Sequence, residues 1–558
     1  MRSDFMESVM RTKLMSYSGV IVAVVLALLL TTGCEPPEDF GQAGPTADEE
    51  EREYERADGD WLIMRMPSSP ESLNPYTSTD TYATQIYDLI FDGLLERNPE
   101  TLDMEPNLAH DWDISDDHLE YTFYLRDDVT FHDGEPLTAE DVKFSFNTIL
   151  DPEVMAPHLR NYLQDIVDIE IIDDYTVRIE CERPYFRHLV MIGGTPIIPK
   201  HIYGEGNFNQ HPNDRDPIGS GPYEFDSWRT GARITLTRHE DYWGEKPSLE
   251  QRWFMFITED NSAFQVLMQH GIDTMEMTPE LWVNRARGER FDQNFRRYTY
   301  YQPRYSYIGW NMRRPQFEDK RVRQAMTMLL DREEILDTIF HGLGEVITGN
   351  FFIKNPEYNE ELDPWPFDPE RAQELLDEAG WVDTTGDGIR DKDGESFEFE
   401  LLIPADLPED EQIATVYQEQ LRRVGIRMRI RRLEFATLLE NVHRREFDAV
   451  RLGWSMPPDP DPYQVWHSSQ TEAGSNYVNF VNEEADEIIE EARVEFDDDR
   501  RTELYRRFHE IVHEEQPYTF LFCRETLLAV DRRFHGITIY PYGPYVREWF
   551  VPQELQRH

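Results

Sequence analysis

The chain is poor in positive charge. Its 55 lysines and arginines face 110 aspartates and glutamates, for a formal net charge of -55. Only seven of the cations are lysines (13, 143, 200, 246, 320, 354 and 392), against 48 arginines. Such a surface repels phosphate backbones, which excludes a general nucleic-acid binder. An acidic, lysine-poor surface is the composition expected where high salt screens self-repulsion, so the charge describes the solvent more than the ligand. Also missing are a G-x-S-x-G elbow, a P-loop and a dinucleotide fingerprint, so no motif of that kind argues for catalysis. From Trp61 onward there is no second long apolar run, no low-complexity tract and no internal repeat. What the chain does have is material for a core. Hydrophobic residues make up 39% of its 558 positions, with 12 Trp, 27 Tyr and 31 Phe. That supports about three to four domain-sized units and excludes a wholly disordered chain.

Arg2, Arg11 and Lys13 precede an unbroken apolar run from Val20 to Leu30, followed by Thr31-Thr32-Gly33-Cys34. The run is too short to span a bilayer and suits the centre of a secretory signal. A small pair before a cysteine resembles the lipobox of bacterial lipoproteins, which implies cleavage after Gly33 and a lipid on Cys34. Thr31 stands where that pattern usually has Leu. Residues 35–60 hold 11 acidic and two basic residues among Pro36, Pro37, Pro45, Gly41 and Gly44, the composition of a solvated tether. The expected layout is therefore a signal at 1–33 and a tether at 34–60, holding a folded part outside the cytoplasmic membrane. With Cys34 acylated, Cys181 and Cys523 remain. An oxidising compartment permits a bridge, but two cysteines so far apart do not establish one, and two separate buried thiols are expected.

In the folded part, strand and helix signals alternate irregularly, which reads as α/β with long loops. Residues 120–126 (Glu-Tyr-Thr-Phe-Tyr-Leu-Arg) alternate like a half-buried strand. Thr138 caps a helix through Phe144, Phe146 and Ile149, with Asp141 in its first turn. A second helix runs from about Asp319 to Leu330, with Val322, Ala325, Met326 and Leu329 on one face. A third is opened by Asp368 and Pro369 and closed by Gly380. Gly219-Ser220-Gly221-Pro222 reads as a tight turn whose glycines supply open backbone angles.

Several segments together resemble the family 5 solute-binding proteins of ABC importers. They are Pro106-Asn-Leu-Ala-His-Asp-Trp112, Tyr121 to Arg126, Phe131-His-Asp-Gly134 and Leu137-Thr-Ala-Glu-Asp-Val142. Pro217 to Tyr223, Asp241-Tyr-Trp-Gly244, Phe317 to Ala325 and Phe367 to Ala372 follow in the family's order. Phe447-Asp448, Gly453-Trp454 and Asp459-Pro-Asp461 complete the set. The resemblance covers about residues 60 to 550. Each piece is weak alone, and their order and spacing together are strong.

The resemblance implies a two-lobed type II periplasmic-binding-protein fold of α/β class, with ligand buried between the lobes. Lobe one would take 61–302, with an extra subdomain at about 100–210, and lobe two 303–516. Residues 517–558 would return to lobe one. Tyr305 to Trp310 and Pro517 to Phe522 are the expected crossing strands, about which the lobes would hinge. The implied role is a monomeric extracytoplasmic receptor, lipid-anchored to the membrane, that hands a small solute to an ABC permease without cofactor or chemistry. Peptides lead as ligands, with oligosaccharides and other small solutes as alternatives.

Candidate ligand residues cluster after the Gly-Trp pair: Gly453, Trp454, Ser455, Met456 and Asp459, with Tyr463 beyond. Trp454 offers a flat apolar platform, or else packs beneath the loop. Peptide-binding relatives carry an Asp in this loop for the ligand's ammonium group, where this chain has Met456 or Pro457. Either Asp459 takes over or the ligand lacks that group. Tyr307, Trp310 and Asn311 at the expected crossing are further candidates, with Tyr82 and Ser69 weaker.

Two other patterns compete. His509-Glu510-Ile511-Val512-His513 matches the H-E-x-x-H zinc motif of metallopeptidases. Its helix, however, needs Leu504, Phe508, Ile511 and Val512 as a buried stripe, and only 45 residues follow to supply a third ligand. Residues 383–394 resemble a calcium loop, but Gly394 stands where a bidentate Glu belongs, so an Asp/Gly turn is the better reading.

Overall fold

The computed structural model describes residues 54–558; the apolar run, Cys34 and residues 35–53 of the acidic tether lie outside the described residues, and the tether's expected end is corrected, since Asp60 is buried and paired with Arg533. Three larger sheets organise the described chain. The first runs in the order Phe295–Tyr301, Phe522–Asp531, Thr274–Glu276, Trp61–Met66, Gln251–Phe256, Arg233–Arg238, Tyr223–Arg229. Trp61–Met66 is parallel to Gln251–Phe256, with Ile63 opposite Trp253. The second sheet runs Arg427–Leu433, Glu398–Pro404, Ala449–Ser455, Arg304–Trp310, Tyr518–Phe520. The third is an antiparallel subdomain of Ala109–Ile114, Glu120–Leu125, Thr176–Cys181 and Ile166–Asp173.

Local sequence accounts for the elements. Along Glu120–Leu125, Tyr121, Phe123 and Leu125 are buried while their neighbours are not, the two-residue period of a half-buried strand. Helix Ala139–Leu150 is capped by Thr138, whose N–H donates to Asp141 Oδ2 at 3.0 Å. Helix Pro369–Glu378 begins at Asp368, which accepts from the Arg371 N–H at 2.9 Å, and ends before Gly380 at φ +89°. The turn at Gly219 and Gly221 corrects one expectation. Neither glycine has positive φ; both are needed because a Cβ would stand 2.0 Å from Ile90 O at Gly219 and 2.7 Å from Ile90 C at Gly221.

Each main sheet has its own core. The first sheet's broad side and the subdomain share one that includes Phe91, Phe123, Phe146, Ile179 and Leu236. The second sheet packs Trp310, Phe317, Met326, Phe399 and Tyr417 on one face, and Tyr307, Phe351, Trp466, Phe508 and Tyr518 on the other. The chain passes from first to second sheet at Gln302–Pro303 and back at Leu521. Of the two segments expected to cross, residues 305–310 lie within the second sheet, paired with Ala449–Ser455 and Tyr518–Phe520, and residues 517–522 lie there up to Phe520 and reach the crossing only at their end. The strand that crosses is Phe522–Asp531. Phe522 packs in the second sheet's core, whereas Leu528 and Val530 pack beside Leu62, Phe534 and Trp549. From Glu525 to Asp531 it pairs with Phe295–Tyr301.

Cys181 and Cys523 are both buried free thiols, and burial pushes each up to about 12. Among the described residues no helix is long and apolar enough to cross a membrane.

Candidate ligand-binding site

Strand Ala449–Ser455 runs antiparallel to Arg304–Trp310, with Trp454 opposite Tyr305 and Gly453 opposite Ser306. Gly453 is obligatory there, since a Cβ would stand 2.9 Å from Tyr305 O. Beyond this strand the segment 456–462, rich in proline, leaves the sheet and turns toward the subdomain. Between them is a cavity of about 300 Å³. Tyr305, Phe351 and Trp454 to Pro457 line it from the second sheet, and His158, Asn161, Tyr162 and Arg187 line it from the subdomain. That volume sits at the lower end for small-molecule sites.

Trp454 is half-buried. Its ring stacks near Tyr477 (6.1 Å, 11°) and its Nε1–H donates to Tyr518 Oη at 3.4 Å. It thus packs on aromatic neighbours and still contributes to the cavity wall. Ser455 and Met456 join it there. Tyr307 stands behind this wall, fully buried and stacked on Tyr518 at 3.8 Å. Burial holds its phenol well above the ordinary range.

Trp310 and Asn311 lie elsewhere. Side chains alternate along a strand, so Trp310 points opposite to Tyr305 and Tyr307, into the other core, where its Nε1–H donates to Thr519 Oγ1 at 3.2 Å. Asn311 is buried, donating from Nδ2 to Phe447 O at 2.7 Å. The residue of that strand that does line the cavity is Tyr305. Tyr82 and Ser69 are outside the lining, as is Tyr463, whose ring stacks on His467 at 4.5 Å.

The loop carboxylates already have partners. Asp459 pairs with Arg97, which comes from the strand Leu95–Arg97 on the other side of the cleft. Asp461 has a side chain only 4% exposed. Its Oδ2 accepts from Tyr185 Oη (2.6 Å) and Arg493 Nε (3.0 Å), and its Oδ1 from the Tyr463 N–H (3.0 Å). Around this carboxylate the Arg493 guanidinium covers the rings of Tyr185 (4.7 Å) and Tyr463 (4.2 Å), and the Phe186 N–H donates to Arg493 O at 3.0 Å. His118 stacks on Phe496 at 3.6 Å further along. The subdomain is thus latched to the second sheet. Tyr185, Arg187, Tyr162 and Arg97 carry no sequence signal that marks them. They reach the site only because the chain brings residues some 270 positions apart together.

The H-E-x-x-H motif is structural. His509 Nδ1 accepts from the Asn359 N–H (3.0 Å), which leaves Nε2–H to face Thr348 Oγ1 (3.0 Å). Gly349 makes room for that ring, since a Cβ there would stand 2.2 Å from it. His513 Nδ1 lies 3.1 Å from Thr348 O, and Glu510 pairs with Arg507 at the surface. Burial drives His509 down to about 3. In the loop at 383–394, Asp383 accepts from the Gly386 and Gly388 amides and Asp391 from Thr384, so its oxygens are turn caps. Among the described residues no group of three His, Cys, Asp or Glu could hold a metal ion.

Residues 103–476 match the profile of the bacterial extracellular solute-binding proteins, family 5 (middle). The chain belongs to that family. It is 32% identical over 497 residues to the oligopeptide-binding protein AppA of Bacillus subtilis, covering 86% of this chain and 89% of that one. The structure of AppA from Bacillus subtilis in complex with a nonapeptide superposes with a TM-score of 0.77 at 30% identity, covering 89% of this chain and 100% of that one. NikZ from Campylobacter jejuni in complex with Ni(L-His) gives 0.75 at 27% identity, covering 88% and 99%. The fold is thus the two-lobed type II arrangement, and the chain is an extracytoplasmic substrate-binding receptor of an ABC importer rather than an enzyme.

Proposed function

We propose that this receptor captures peptides between its lobes by hinge closure and delivers them to the permease from a lipid anchor on Cys34. One observation carries the reading: a cavity with walls from both sides, sealed by the Asp461 latch. The first sheet with its subdomain forms lobe one, the second sheet forms lobe two, and the two links at 302–303 and 521 are the hinge. Peptide as the ligand class rests on the relatives, AppA with its nonapeptide foremost. Trp454, Tyr305 and Tyr162 supply the flat apolar surfaces on which a peptide plane or side chain can lie. The revised set of ligand contacts is Trp454, Ser455, Met456 and Tyr305 from lobe two, with Tyr162 and Arg187 from lobe one. Gly453 and Tyr307 support them, and Asp459, Asp461 and Tyr463 belong to the closing contacts. In composition the chain is that of a salt-adapted protein, with arginine in place of lysine on an acidic surface.

The test is small-angle scattering and intrinsic fluorescence on the chain from residue 34 onward, stripped of bound solute and titrated with peptide and oligosaccharide pools. Peptides should shrink the particle and change the tryptophan signal. Closure with glycans alone would replace the ligand class, and no closure with either would overturn the reading.

A further inference from the structure

In a chain this acidic an arginine has many carboxylates to choose from, and the buried ones are mostly well held. Arg323 donates to Glu515 O, Phe317 O and Glu318 O, and Arg332 to Phe520 O and Trp365 O. Arg187 is different. It is only 5% exposed, and it lines the cleft. Its guanidinium covers the Tyr162 ring at 5.1 Å, its Nε has no hydrogen-bond partner, and Nη2 reaches only Met191 Sδ at 3.6 Å, a poor acceptor. Among the described residues no carboxylate pairs with it. Arg252 is as poorly served, but it sits in the first sheet against the Tyr223 and Phe254 rings and outside the cavity lining.

The anions nearest to Arg187 are spoken for. Both oxygens of Asp461 are used, and Asp459 is paired with Arg97. The cleft therefore offers a free cation and no free anion, the reverse of a site built around a ligand ammonium group. Asp461 and Asp459 favour the charge on Arg187 from a distance without bonding it, so its buried N–H donors stay unsatisfied until a bound solute brings an acceptor. The guanidinium is a planar fork of donors that matches a carboxylate with two parallel N–H···O bonds.

We propose that Arg187 is the anchor for a ligand carboxylate, so that the receptor selects solutes carrying one. This rests on the cleft being the ligand site. For a peptide the carboxylate is either the C-terminus or a Glu or Asp side chain, and the chemistry at Arg187 is the same for both.

Titration calorimetry on the stripped receptor separates the two sources, using peptides that bind as free acids, their C-terminal amides, and Glu-to-Gln replacements position by position. One of these neutralisations should weaken binding by about 10- to 100-fold, the range for a charge-assisted hydrogen-bonded pair. In Arg187→Gln that difference should vanish, the charged peptide binding no better than its neutral partner, and Arg187→Lys should restore part of it. The thermal midpoint of ligand-free Arg187→Gln should change little, because no carboxylate is hydrogen-bonded to Arg187 in the cleft. A marked fall in that midpoint would show a structural role and overturn the proposal. So would equal binding of every charged and neutral pair, or discrimination that survives in Arg187→Gln. Mass spectrometry of the solute that leaves the cleft of the purified protein gives the second readout. A non-peptide carboxylate there overturns peptide capture and supports the Arg187 anchor, and a solute with no acidic group overturns the anchor whatever its class.

Discussion

Tyr185→Phe removes a single oxygen from the closing contact. The Tyr185 hydroxyl comes from lobe one and donates to Asp461 of lobe two at 2.6 Å. The carboxylate's other bonds, from Arg493 and the Tyr463 amide, lie within lobe two and persist when the lobes part. The substitution therefore leaves no buried charge alone and keeps the ring beneath Arg493. A hydrogen bond to a charged group contributes about 1.5–3 kcal/mol. With Asp461 still paired the lower end applies, about 1.5 kcal/mol, which weakens ligand affinity by about tenfold. The loss should fall on dissociation, since the bond forms only after the lobes meet. Stopped-flow fluorescence and calorimetry read both quantities. The thermal midpoint of the ligand-free protein should move by no more than about 2 °C. Unchanged affinity and dissociation rate in Tyr185→Phe would refute the latch.

Three further outcomes are expected. Trp454→Ala should weaken ligand binding by at least about tenfold and shrink the ligand-induced fluorescence change, with a midpoint lowered by only a few degrees; unaltered affinity would remove Trp454 from the site. For His509, burial lowers the folded pKa to about 3, so below the unfolded value of about 6.5 the unfolded chain takes up the proton first and stability falls with pH. The stability advantage of the wild type over His509→Gln in urea unfolding should narrow by about 2 kcal/mol between about pH 6.5 and 5, and a pH-independent gap would contradict the assignment. Moving the protein from molar to millimolar salt should lower its thermal midpoint, because the acidic surface loses its screening; an unchanged midpoint would end the salt-adaptation reading.

What could be read from the sequence was local or contiguous. Thr138 and Asp141 cap their helix, and Tyr121, Phe123 and Leu125 share a strand face, because these patterns depend on near neighbours. Trp454, Ser455 and Met456 were accessible as candidates for the same reason, being consecutive residues of one strand end. Trp310 failed because the face a strand residue presents depends on the sheet it joins, and here Ile308 and Trp310 face the core on the side away from the cavity. Asp459 looked like a free carboxylate because Arg97, which neutralises it, lies 362 residues away. Tyr185 and Arg187 were invisible for the same reason, since closure of the lobes and nothing local brings them to the cavity.

The strand Phe522–Asp531 has a consequence for how this chain is made. It lies between Phe295–Tyr301 and Thr274–Glu276, and it is synthesised only after every strand of the second sheet. Until then the first sheet has a gap near one edge, and Asp60, Asp273 and the interior around Leu62 lack Arg533, Val530 and Trp549. Pairings between segments this distant are slow to form. Lobe one thus cannot finish folding until the second sheet has been made. Truncation before Phe522 should leave lobe one unable to close its core.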